Sequence, residues 1–100
     1  MNSKERNYLR KEAHYLKPAL TIGKLGLHEG IFDSLEEALT KEELVKIRFQ
    51  DFKEDKKEFV TQLSNSTGGE LVALIGHTAI LYRESNNPEE RYYKISTKKN

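Results

Sequence analysis

The sequence contains no cysteine and no tryptophan, and among its 100 residues there are only one methionine, two prolines and six glycines. Without cysteine there is no disulfide framework and no thiolate metal site, so the strongest sequence argument for secretion is missing and a reducing compartment is expected. No apolar run approaches the roughly 20 residues that cross a bilayer, and the opening Met1-Asn2-Ser3-Lys4-Glu5-Arg6 lacks the apolar core of a signal peptide. A cytoplasmic protein with no membrane partner is therefore expected. Catalytic patterns are missing as well. His14, His28 and His77 are scattered, His28-Glu29 lacks the second histidine of a zinc-protease motif, and no serine sits in a nucleophile elbow. The neighbouring carboxylates Glu36-Glu37 and Glu42-Glu43 are expected on helix surfaces with ordinary pKa values. No catalytic residue, metal ligand or cofactor is indicated, because the P-loop and G-x-G-x-x-G patterns are also absent.

A large net charge is lacking too: 17 Lys and Arg face 16 Asp and Glu, for a balance of +1. That average conceals a segregation. Residues 1–28 carry Lys4, Arg6, Arg10, Lys11, Lys17 and Lys24 against Glu5 and Glu12 alone, residues 29–90 hold 14 acids against 7 bases, and Arg91, Lys94, Lys98 and Lys99 close the chain without an acid. A nearly neutral protein of this kind can still present one basic face to phosphate.

What is present reads as one domain with one core, since a chain of this length has no room for a second. In residues 3–17, Leu9, Ala13 and Leu16 recur at helical spacing, with Ser3 as the expected N-cap and Pro18 as the stop. Arg10, His14 and Lys17 share that spacing and are expected on one face, offset by one residue from the apolar seam. Residues 19–22 read as a short buried strand, and residues 28–41 as a helix burying Ile31, Leu35, Ala38 and Leu39. In residues 44–49, Val45, Ile47 and Phe49 alternate with Lys46 and Arg48, the pattern of a half-exposed strand. A capping box in Asp51-Phe52-Lys53-Glu54 opens a third helix marked by Phe52, Phe59, Val60 and Leu63 and closed by Gly68-Gly69. Two apolar strands, 71–75 and 79–82, flank Gly76-His77, which suits a type II′ hairpin. The order is α-β-α-β-α-β-β, giving an α/β fold with a four-stranded mixed sheet whose final hairpin adds one antiparallel pairing. The domain is expected to span residues 1–84, with residues 85–100 a polar, mobile C-terminal tail into which Tyr92 to Ile95 offer a possible docking segment.

Ile22-Gly23-Lys24-Leu25-Gly26-Leu27 places two glycines and a cation between a strand and a helix. Such a turn bends the backbone sharply and brings peptide N–H groups to a helix N-terminus, where the macrodipole supplies roughly half a positive charge and Lys24 a full one. A side chain at Gly23 or Gly26 would hold a sugar-phosphate chain away. Tyr8, Tyr15 and Phe32 are candidates for stacking on unpaired bases, and Lys46 and Arg48 either extend the basic surface or protect a strand edge.

The blocks Leu9-Arg10, Ala13-His14, Leu16-Lys17-Pro18, Ile22-Gly23-Lys24 and Gly26-Leu27, with Glu70-Leu71-Val72, Ile75-Gly76 and Leu81-Tyr82-Arg83, closely resemble the CRM domain in its stand-alone bacterial, YhbY-like form. The resemblance covers residues 6–83. It implies an α/β two-layer sandwich similar to the C-terminal domain of translation initiation factor three, an RNA-contacting G-x-x-G loop, and association with ribosomal RNA in precursors of the large ribosomal subunit. The expected RNA-binding residues are Gly23, Lys24, Leu25, Gly26 and Leu27 with Arg10, His14 and Lys17, in a monomer. Two positions depart from the pattern: Leu25 is apolar, and His28 stands where threonine or serine would cap the helix. The alternative is a protein-interaction module whose acidic centre docks on basic ribosomal proteins.

Overall fold

Asn2, not Ser3, caps the first helix in the computed structural model, which describes residues 1–50, 55–93 and 95. The Asn2 side chain accepts from the Glu5 amide at 2.8 Å, and the Glu5 carboxylate accepts from the Asn2 amide at 3.0 Å. Beginning one residue later would put Arg6, which has no acceptor, at the position that must reach back. α1 (Ser3–Ala13) also ends earlier than expected. Pro18 has no N–H and pushes Lys17 out of the helical region, so the chain tightens and the Leu16 amide bonds the Ala13 carbonyl at 3.0 Å, three residues back. Lys17 thus lies beyond the helix and does not share a helical face with Arg10 and His14, a correction to the expected i, i+4, i+7 row. The apolar stripe holds, with Leu9 and Ala13 fully buried.

The remaining elements follow in the expected order: β1 (Leu20–Ile22), α2 (Glu29–Glu42), β2 (Leu44–Phe49), α3 (Lys56–Thr67), β3 (Glu70–Ile75) and β4 (Thr78–Tyr82). The capping box expected at residues 51–54 lies outside the described residues. Gly68 ends α3 in the left-handed region, and the hairpin has positive φ at Gly76 but not at His77, as a type II′ turn requires. The sheet order is β1-β2-β4-β3, with β1 parallel to β2 and β4 antiparallel to both its neighbours. The hairpin therefore adds two antiparallel pairings, not one. The crossover through α3 leaves a one-strand gap between β2 and β3, and β4 fills it because Ala79, Ile80, Leu81 and Tyr82 are all buried, which only a central strand satisfies.

Strand parity divides the core. Ile22, Val45, Ile47, Phe49, Ala79 and Leu81 face α2 and α3 and pack on Leu35, Leu39, Val60 and Leu63. Leu44, Val72, Ile80 and Tyr82 face the other way, onto Leu9 and Ala13 of α1. The expected helix-on-sheet sandwich is thus formed by α2 and α3, while α1 adds a partial layer on the opposite face. A bulge in β3 between Leu71 and Ala73 turns Val72 toward α1, and the Arg6 guanidinium donates to the Leu71 and Val72 carbonyls at 2.6 and 3.3 Å.

Glu43 is the one residue between α2 and β2, and at φ 61°, ψ −44° it is the only non-glycine among the described residues with positive φ. The expected surface carboxylate is instead 2% exposed and accepts from the amides of Ser85 at 2.6 Å, Tyr92 at 2.9 Å and Tyr93 at 3.5 Å. Its carbonyl takes the Arg83 amide. These bonds draw the chain after β4 back onto the domain, so the boundary expected after residue 84 does not mark a free tail through Tyr93. Tyr93 is buried edge-on against Tyr8 and Tyr82, and burial pushes its phenol up to about 12 and raises that of Tyr82 as well.

Arg83 braces the other side of the same end. It donates to the Glu36 carboxylate at 2.8 Å, the Thr67 carbonyl at 2.9 Å and the Thr40 hydroxyl at 3.0 Å, tying β4 to α2 and α3. The hydrogen bond from Arg83 holds the Glu36 carboxyl below its ordinary value of 4.5, so the expected ordinary pKa does not hold for Glu36. Because the folded value is depressed, this pair stabilises the fold above the unfolded pKa and ceases to do so as pH falls through the folded one. Glu36→Gln is expected to lower stability above about pH 4.5 by the small amount an exposed pair contributes and to leave stability at lower pH nearly unchanged, so that the acid limb of a stability-versus-pH curve flattens slightly. An unchanged acid limb in urea titrations would contradict it.

Candidate nucleic-acid interface

The bend after β1 is a tight turn closed by a hydrogen bond from the Gly26 amide to the Gly23 carbonyl at 3.0 Å. Lys24 and Leu25 form its tip and are exposed, Leu25 at 85%. Gly26 adopts φ +68° and is buried, where a Cβ would meet the Phe59 ring at 3.6 Å, while a Cβ on Gly23 would meet the Gln50 side chain at 3.2 Å. The glycines therefore shape the bend from within, and Gly26 does not clear space for a sugar-phosphate chain as its position in the sequence suggested. Leu27 packs against the core formed with α2 and α3. His28 stands at the N-cap of α2 without a side-chain hydrogen bond to the helix, and its ring lies against Gly30. Glu29 follows in the first turn, so the positive end of α2 already has a carboxylate beside it.

A more extensive cationic surface lies on the sheet face that α1 covers only in part. The register aligns Thr21, Arg48, Thr78 and Ile75 across the four strands, one residue from the end of β1 and on the α1 side of the sheet. One pleat deeper on the same side stand Lys46 and Ile80. Between this surface and the flank of α1 runs a groove of about 670 Å³ that receives Arg10, Lys11, His14 and Lys46. Among the described residues no carboxylate lines it. The Lys46 ammonium donates to the Leu16 carbonyl at 2.9 Å, which pins the chain leaving α1 against β2 and fixes the cation at the groove.

Of the expected residues, the fold thus brings Arg10 and His14 together in the groove, places Lys24 and Leu25 at the exposed tip of a bend at the same end of the sheet, and leaves Lys17 exposed past α1. Among the stacking candidates, Phe32 packs against the core, Tyr8 packs edge-on against Tyr93 while 36% exposed, and Tyr15 is the most open to solvent, at 84%. Lys11 carries no signal of its own in the sequence, and for Lys46 and Arg48 the sequence allows either a basic surface or protection of a strand edge. Their alternation with Val45, Ile47 and Phe49 showed that they share a face, but not that α1 lies on it. Among the described residues no cluster of three or more histidines or carboxylates is placed to hold a metal ion, and no helix is long and apolar enough to cross a membrane.

A family model of the CRS1/YhbY (CRM) domain matches residues 1–83. The chain belongs to this family. It is 33% identical over 91 residues to the Bacillus subtilis protein named "Probable RNA-binding protein YqeI", covering 90% of this chain and 95% of that one. It is 33% identical over 86 residues to an "RNA-binding protein" of Haemophilus influenzae, covering 85% and 87% of the two chains. The solution structure of the hypothetical protein SAV1595 from Staphylococcus aureus, a candidate RNA-binding protein, superimposes with a TM-score of 0.77 at 36% identity, over 94% of this chain and 99% of that one. The match confirms the small α/β fold with its mixed sheet and three helices. These CRM relatives are named for RNA binding and for no enzymatic activity.

Proposed function

We propose that this CRM-domain protein binds RNA and acts on ribosomal RNA in a large-subunit precursor during ribosome assembly. The cationic groove between α1 and the sheet, with no carboxylate among the described residues that line it, carries the reading. It faces phosphate with Arg10, Lys11, His14 and Lys46, and Lys24 at the tip of the G-x-x-G bend extends the contact from the same end of the sheet. The names of the relatives support RNA as the ligand, and the ribosomal precursor as its source is what the resemblance of the sequence blocks to the CRM family implies. Phosphate contacts of this kind position the protein and provide most of the affinity, while selectivity comes from whatever the flanking groups read.

The test is crosslinking in cells followed by sequencing of the attached RNA. Large-subunit ribosomal RNA is the expected recovery, reduced roughly tenfold by Lys24→Glu, an exposed substitution that leaves the fold intact. Recovery of basic ribosomal proteins with no RNA would favour docking through the acidic central region of the chain instead.

A further inference from the structure

The groove has a form that a regular duplex does not fill. Its volume of about 670 Å³ falls within the roughly 300–1,000 Å³ of small-ligand pockets. Ile80, 4% exposed, forms an apolar floor, and Ile75, 51% exposed, forms one wall at the hairpin end of the sheet. At the rim stands Tyr15, whose ring is open to solvent and held edge-on by His14, with centroids 5.3 Å apart and planes at 87°. Around this apolar niche are the cations Arg10, Lys11 and Lys46.

An exposed aromatic ring lining the same groove as an apolar surface and several cations has two complementary needs. The ring and floor gain from a flat, unstacked π-surface, and the cations gain from phosphates to either side of it. In A-form duplex the bases are stacked and paired, and their edges lie in a deep narrow groove or a shallow one, so no face reaches such a niche. We propose that the groove takes an unpaired nucleobase of the bound RNA, stacked on Tyr15, with the flanking phosphates on Arg10, Lys11 and Lys46. The inference rests on the RNA-binding reading above and adds to it the structural class of RNA selected, one with a bulged or looped-out nucleotide.

Two short RNAs of matched sequence, one a perfect duplex and one the same duplex with a bulged adenosine, are titrated with the full chain at low salt. The bulged RNA is expected to bind about five- to hundredfold more tightly, the range that one base stacked on an aromatic ring contributes. Tyr15→Ala is expected to remove that preference and Tyr15→Phe to retain it. The edge-on contact with His14 is the ring contact the structure gives Tyr15, so the fold does not depend on it. Equal affinity of the wild-type protein for the two RNAs, or a preference that survives Tyr15→Ala, would overturn the nucleobase pocket while leaving RNA binding in place. Failure of the wild-type protein to bind either RNA would overturn both.

Discussion

Replacing Glu43 with alanine is expected to destabilise the fold by about 3–5 kcal/mol, a large share of the roughly 5–15 kcal/mol that holds a small domain together. The carboxylate accepts from the backbone amides of Ser85 and Tyr92 at 2.6 and 2.9 Å, and from that of Tyr93 at 3.5 Å. Each bond to an ionised acceptor contributes about 1.5–3 kcal/mol, and an amide left buried without a partner costs about 1–3 kcal/mol more. Relief from burying a charge offsets part of the loss. The backbone allows a second, independent check. At φ 61° any L side chain is strained, so Glu43→Gly is expected to be about 1 kcal/mol more stable than Glu43→Ala although both delete the carboxylate. Urea unfolding of the three proteins measures both differences. An alanine variant as stable as the wild type would show that the carboxylate does not organise the chain after β4, and equal stability of the two variants would remove the strain argument.

The second large effect is on RNA affinity. If about five phosphates are neutralised, with a slope near −0.7 for each, a fourfold rise in salt is expected to weaken binding roughly a hundredfold. The individual cations can then be counted. Lys46→Ala and Arg48→Ala together are expected to make the salt slope shallower by roughly 0.7 for each phosphate they no longer neutralise, with little change in stability from Arg48, which is exposed. Lys46 also bonds the Leu16 carbonyl, so Lys46→Ala additionally loosens the link that follows α1. Isotherms at several salt concentrations for the wild type and the double variant read both quantities. A slope unchanged by the double variant would move the RNA away from this face of the sheet.

Glu43 and Lys46 illustrate two different limits of reading a sequence. The pattern Leu44 to Phe49 located β2 and its two faces, because alternation is local and each side chain's direction follows from its neighbours. It did not reveal that Lys46 lies across a groove from Arg10, since those residues are 36 positions apart and meet only once α1 has chosen a side of the sheet. Glu43 reads as a helix-surface acid because it closes the polar run Lys41-Glu42-Glu43 at the end of a helical pattern; its carboxylate is held by a segment some 50 residues later that returns to it. The positive φ at Glu43 had no signal at all, because glycine, the residue that usually marks such a position, is absent there. In the G-x-x-G bend the sequence located the turn and its exposed cation, but the inward aim of Gly26 depends on Phe59 of α3, which no local pattern could supply.

By itself, then, the amino-acid sequence determined the order and type of the elements, the two-faced strand β2, the type II′ hairpin and family membership, because periodicity, capping and turn chemistry act over a few residues. The tertiary structure alone decided that β4 would enter between β2 and β3, that α1 would lie on the face opposite α2 and α3, and that Glu43 would hold the returning chain. Those outcomes depend on which apolar faces find each other and which buried polar groups find partners, and such choices are made between segments far apart in the chain. The cationic groove is a product of both: its charges were visible as residues, and their convergence exists only where the helix and the sheet meet.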